Sequence, residues 1–295
     1  CGVCPDGCSG RFACRAGTGA LPSLNYDLLT VPTHPDTRGM ADTLIYVPTN
    51  NCARVMIFLR LNGLEHEVSI KSPFDYGGLD TDAYRAINPM AKLPALITSA
   101  GDTVFESQVI VEYLADKYSR RLTEPCLPST LEARTKARLL LRIHDMYVSG
   151  ANCTTDPAVW ANQGAMYKEK MPLEERKGRA ADLWKQLEVI EGLLDSDGPF
   201  AAGELSLADC ALYPTYVFVV ELAPISLGWE KPFDKLEKTK KWFAFCEAHE
   251  VLGVVGADVH ALVKKILTAQ AEGVAKQVAD AEGMAEALKA LALCV

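Results

Sequence analysis

Three short stretches carry residue types suited to chemistry on a small thiol or amino-acid ligand. Thr49 stands between an apparent strand, Leu44 to Val47, and an apparent helix, roughly Asn51 to Asn62. A hydroxyl donated to a sulfur at that point would favour the thiolate, with help from the positive end of the helix. The plainer reading of Thr49 is a turn or capping residue. Leu93-Pro94 opens another strand. A proline there donates no amide, and a cis bond before it would leave the Leu93 backbone free to pair with an extended ligand. An ordinary edge-strand proline is the simpler alternative. Glu106-Ser107 falls where a strand meets a helix. Helix-start amides attract a carboxylate and the Glu side chain suits an ammonium, a pair that matches an amino-acid head group. A plain N-cap explains the same residues.

These stretches need a sheet edge and helix starts to bring them together. Leu44–Val47 and His66–Ile70 read as strands around the first helix, which carries Val55, Phe58 and Leu59 at helical spacing and stops at Gly63. A short helix at Ala83–Ile87 follows. Pro94–Ile97 and Val104–Phe105 flank Ser99-Ala100-Gly101-Asp102, a hairpin signal. A helix from Ser107 sets Ile110, Tyr113, Leu114 and Tyr118 along one face. The order is βαβ, helix, ββα over residues 40–118, the size of one small sheet with helices on it. Residues 119–128 are polar and Pro-bearing, as a linker should be.

From Ser129 to 267 the chain reads as all-helical. Ser129 with Glu132 suggests one capped helix start. Pro172–Leu194 is amphipathic, and Ser206-Leu207-Ala208-Asp209 forms a capping box ahead of an apolar helix to about Leu222. Leu236–His249 and Val251–Leu267 read as two more helices. Residues 150–165 read as irregular. Residues 268–295 read as a helical extension broken near Gly283. Residues 1–39 form a Cys/Gly-rich extension: a tail, or the remnant of a targeting peptide. Cys1, Cys4, Cys8 and Cys14 could in principle close a tetrahedral metal site, but their spacing matches no standard zinc motif, which favours a thiol-rich tail and no metal.

With 295 residues, the chain is long enough for two modest domains. A net charge of −8 argues against a nucleic-acid partner. No apolar run reads as approaching the roughly 18 residues that span a bilayer. The other six of the ten cysteines are scattered, several of them inside apparent helices, which suits free thiols in a reducing compartment.

Residues 40–265 resemble the cytosolic-type glutathione transferases. The resemblance rests on Thr-Asn-Asn-Cys-Ala-Arg-Val from Thr49, Ile-Asn-Pro-Met-Ala-Lys-Leu-Pro-Ala-Leu from Ile87, Phe-Glu-Ser-Gln-Val-Ile-Val-Glu-Tyr-Leu from Phe105 and Leu-Ser-Leu-Ala-Asp-Cys-Ala-Leu-Tyr-Pro from Leu205. It implies a thioredoxin-like first domain, an all-helical second domain, glutathione as co-substrate and a detoxifying activity on small electrophiles. Thr49 falls at the catalytic hydroxyl position, five residues before Arg54, with Asn50 and Asn51 as alternative donors. Lys92, Leu93, Pro94, Glu106 and Ser107 fall on the glutathione-binding positions. Ser206 and Asp209 are the structural capping pair. Thr in place of the commoner Ser keeps the donor but restricts its rotamer. Cys52 sits where related redox folds keep only the second Cys of a Cys-x-x-Cys, so it reads as a packing residue. Arg142, His144, Met146, Tyr147 and Trp160 are expected near the acceptor pocket. The resemblance further implies a homodimer in the cytoplasm. The competing reading is a non-catalytic subunit with this fold in a larger assembly, in a plastid or mitochondrion after loss of a targeting peptide.

Overall fold

The structure is a computed structural model that describes residues 41–149 and 172–280. The four N-terminal cysteines, the stretch with Trp160 and the region near Gly283 lie outside the described residues. Four strands, β1 (Asp42–Ile45), β2 (Val68–Lys71), β3 (Ala95–Ile97) and β4 (Thr103–Phe105), form one sheet in the order β2-β1-β3-β4. β1 runs parallel to β2, and β1–β3 and β3–β4 are antiparallel. Helices α1 (Asn50–Leu61), α2 (Asp82–Arg85) and α3 (Ser107–Lys117) complete this half. It is the expected thioredoxin-like arrangement. β1 starts and ends two residues earlier than the sequence suggests. The chain leaves the strand through Pro48, which has no amide, and the Thr49 amide closes a tight turn onto Val47 O at 2.6 Å.

The side chains of β1 alternate between two cores, as a pleated strand requires. Leu44 and its partner Leu96 join the large core under α1 and α3. Ile45 and its partner Ala95 join a smaller cluster with Tyr84 and Ile87 on the other face. Every residue of α1 from Cys52 to Leu59 is buried. A helix buried on all sides needs cover on all sides, and α1 receives it from the sheet, from α3 and from α6.

The helical half comprises α4 (Leu131–Ile143), α5 (Leu173–Leu193), α6 (Leu207–Leu227), α7 (Glu237–Ala248) and α8 (Leu252–Asp280). α4 continues into a π-helical turn, His144–Ser149. Its N-cap is Thr130 rather than Ser129: the Thr130 hydroxyl accepts from the Ala133 amide at 3.1 Å. Glu204 draws Ser129 away, accepting from its hydroxyl at 2.7 Å and its amide at 2.9 Å. α8 runs through Thr268 without a break.

α6 corrects the reading that no apolar run approaches the length of a bilayer span. A stretch of 18 of its 21 residues has a mean hydropathy of 1.5, long and apolar enough to cross a membrane by composition alone. Two thirds of that stretch is buried inside the protein, against α1, α4 and α8, which is the environment of a core helix. The start of α6 is fixed by Asp209. Its carboxylate accepts from the Ser206 amide (2.9 Å) and hydroxyl (2.8 Å), the Ala201 amide (2.7 Å) and Trp242 Nε1 (2.8 Å). The expected capping pair therefore holds, with the Ser206 hydroxyl as donor to the carboxylate.

Candidate active site

The register of the sheet collects the predicted residues. Ile45 stands opposite Ala95, and Ala95 stands opposite Phe105. Thr49 follows the β1 end of this row, Leu93-Pro94 precedes its β3 member and Glu106-Ser107 follows its β4 member. All three stretches therefore issue from one end of three adjacent strands, 13 to 57 residues apart in the chain and neighbours in space.

Thr49 is the N-cap of α1, half-buried, with extended backbone at φ −84° and ψ 165°. Its side chain makes no hydrogen bond to the amides of α1, and the first turn holds no acidic residue. Asn51 is half-buried in the same turn. The Leu93-Pro94 bond is cis, Pro94 is buried, and Leu93 is half-buried just outside the β ladder. The loop before it is pinned through the Lys92 carbonyl, which accepts from Tyr84 Oη at 2.6 Å and Asn88 Nδ2 at 2.9 Å. The Lys92 side chain is half-buried. Glu106 is exposed and adopts φ 70°, a left-handed conformation unusual for a residue with a side chain. Backbone held in such regions clusters at functional sites. Ser107, the first residue of α3, is buried.

Asn50 lies elsewhere. Its Nδ2 donates to Thr215 Oγ1 in α6 at 3.1 Å and to Ser149 Oγ at 3.3 Å, so its amide faces the helical half. It belongs to a buried polar network that the sequence reading missed. Arg54 is 2% exposed and pairs with Asp145, its Nη1 reaching Oδ2 at 3.3 Å and its Nη2 contacting Oδ1. His144, fully buried, places Nδ1 2.9 Å from Asp145 Oδ1 and Nε2 2.7 Å from Thr215 Oγ1. Burial pushes the His144 pKa down, against the pull of Asp145, so its ring is neutral near pH 7. Burial opposes ionisation of Asp145 too, yet the His144 hydrogen bond and the Arg54 guanidinium hold its carboxyl well below the usual range. The one signal in the sequence was an arginine inside an apolar helix.

The residues expected around an acceptor pocket separate. His144 is enclosed in the network. Met146 and Tyr147 are about half exposed on the π-helical turn. Arg142 lines a cavity of about 380 Å³ between α3 and α4, with Gln108, Glu112, Arg134 and Arg138. Cys52 is fully buried, as a packing residue should be. Among the described residues, no group of His, Cys, Asp and Glu side chains is placed to hold a metal ion.

A four-stranded thioredoxin-like sheet with its site at the strand ends, joined to an all-helical half, defines the glutathione-transferase fold. Comparisons with known proteins agree. The family described as "Glutathione S-transferase, N-terminal domain" matches residues 50–117, and "Glutathione S-transferase, C-terminal domain" matches residues 174–248. The chain is 27% identical over 221 residues to glutathione S-transferase theta-1 of Rattus norvegicus, covering 68% of this chain and 84% of the relative. It is 29% identical over 218 residues to glutathione S-transferase theta-3 of Mus musculus, covering 68% and 83%. Among solved structures, the human theta-class enzyme in complex with the glutathione conjugate of 1-menaphthyl sulfate superposes with a TM-score of 0.62 at 22% identity, over 79% of this chain and 91% of that one. The chain thus carries matches to both the N- and the C-terminal domain of the glutathione S-transferase family.

Proposed function

We propose that this chain is a glutathione transferase of theta-like type, working through the Thr49 hydroxyl. The observation that carries the reading is the common strand end from which Thr49, Leu93-Pro94 and Glu106-Ser107 issue. Strands lie about 4.8 Å apart, so the row from β1 through β3 to β4 spans about 10 Å. An extended chain of three residues covers about the same length. Glutathione laid across this row sets its amino-acid end at Glu106 and the start of α3, its cysteinyl backbone along Leu93 and its sulfur at Thr49. In this reading Lys92 takes the glycyl carboxylate. The theta-class relatives and the solved theta-class conjugate complex support the same ligand.

The chemistry is thiol activation. Thr49 donates its hydroxyl proton to the thiolate in a hydrogen bond, and the positive end of the α1 dipole adds favourable potential. A free thiol ionises near pH 8.5, and lowering that by about two units corresponds to roughly 3 kcal/mol. The thiol proton passes to solvent. The thiolate forms a carbon–sulfur bond with the electrophile, and the departing group leaves with the electron pair of the bond it breaks.

Retention on glutathione resin, with conjugation of a generic aryl halide, tests the reading. The parent should bind and conjugate, and Thr49→Ala should bind but lose most of the conjugation. Failure of the folded parent to bind overturns the reading in favour of a non-catalytic building block.

A further inference from the structure

The first turn of α1 carries Thr49, whose side chain makes no hydrogen bond to the amides of that turn. Its anchorage comes from a loop of buried hydrogen bonds. The loop leaves α1 at Asn50, whose Nδ2 donates to Thr215 Oγ1. Thr215, fully buried in α6, lies 2.7 Å from His144 Nε2. His144 Nδ1 lies 2.9 Å from Asp145 Oδ1 and 3.1 Å from Arg54 Nη2. Arg54 is one turn along α1 from Asn50, so the loop closes on the helix where it began. In the tautomer with the proton on Nδ1, the donors run in one direction: Asn50 to Thr215, Thr215 to His144, His144 to Asp145. Ser149 supplies a second acceptor for Asn50 at 3.3 Å.

We infer that Thr215 and His144 are positioning residues that set the aim of the Thr49 hydroxyl by clamping Asn50, the next residue in the chain. This rests on the proposed role of Thr49 and deepens it. Thr49 and Asn50 share a peptide plane, so rotation at Asn50 swings the Thr49 side chain. A displacement of about 1 Å at a reacting group costs up to about a hundredfold in rate. A bare packing role for the loop would affect stability and leave the ionisation of a bound thiol alone. A positioning role changes that ionisation, because the thiolate is stabilised only by a donor aimed at it.

The test is the pKa of the glutathione thiol bound to the full chain, read from thiolate ultraviolet absorbance across pH. Thr215→Val keeps the volume and removes the hydroxyl. It should raise that pKa by about half a unit to one unit and lower kcat about three- to tenfold, with KM for glutathione within about twofold, since Leu93 and Glu106 are untouched. Thr215→Ser should restore both values. Asn50→Ala breaks the same link from a less buried position and should act like Thr215→Val should that variant fold poorly. Val217→Ala, a buried apolar change in the same helix, should lower the melting temperature without moving the thiol pKa. An unchanged thiol pKa in both Thr215→Val and Asn50→Ala overturns the inference, as does an effect of Asn50→Ala on KM alone. If Thr49→Ala itself leaves the bound thiol unmoved, the proposed function fails first.

Discussion

Arg54 and Asp145 are separated by 91 positions in the chain and meet as an ion pair at the junction of the two halves. Arg54 enters from a helix otherwise lined with apolar side chains, and Asp145 sits in the π-helical turn after α4. Removing one partner strands the other. Asp145→Ala leaves a guanidinium buried without its counter-charge and should destabilise the protein by about 3 kcal/mol in chemical denaturation. Replacing both at once, Arg54→Met with Asp145→Leu, should cost less than Asp145→Ala alone. A double variant as unstable as the sum of its singles would contradict this account of the pair.

Asp209 is the hub at the start of α6. Four donors converge on it, and Asp209→Ala leaves them unpaired in a dry interior. At roughly 1 kcal/mol or more for each buried donor left unsatisfied, the loss should reach about 3 kcal/mol or more. Ser206→Ala removes one donor only and should cost about 1 kcal/mol. Thermal melts of the two variants check the ranking, and equal losses would count against the four-donor hub.

His260 ties α8 to its neighbours. Its Nε2 faces Glu247 of α7 at 3.4 Å, and its Nδ1 lies 2.6 Å from Glu221 of α6. Both carboxylates favour the imidazolium and raise its pKa against the opposing effect of burial. A raised folded-state value means the contribution is fully present below the unfolded value of about 6.5 and is lost as pH rises through the folded value. The stability difference between the parent and His260→Gln should therefore be largest in mild acid and shrink above neutrality. A difference that grows with pH would show the wrong sign.

Gly256 gives a sharper steric test. A Cβ there would lie 1.9 Å from Tyr213 Oη, whose hydroxyl donates to Glu247 at 2.5 Å. Alanine improves helix propensity by about 1 kcal/mol, yet the overlap displaces a buried ring and should cost about 1–3 kcal/mol before that gain. Gly256→Ala should thus lower the melting temperature or leave it level. A clear rise would contradict the packing described.

Much of the fold was legible because its signals are local. The hairpin at Ser99–Asp102, the Ser107 helix start and the Ser206–Asp209 box each lie within a few residues of what they control. The Thr49, Leu93-Pro94 and Glu106-Ser107 stretches were readable singly, but only the Ile45–Ala95–Phe105 register brings them to one strand end. The Arg54–His144–Thr215–Asn50 loop was not readable. Its members come from three distant segments, and nothing near Asn50 says that its amide reaches Thr215 in α6. Ser129 was misassigned as a cap because its competitor, Glu204, is 75 residues away.

A glutathione-soaked crystal tests the central claim most directly. The account predicts the tripeptide extended across the strand ends, with its sulfur within hydrogen-bond reach of Thr49 Oγ1, its cysteinyl backbone paired with Leu93 and its γ-glutamyl group at Glu106 and Ser107. Glutathione bound elsewhere on the folded protein, or its sulfur turned away from Thr49, would contradict it.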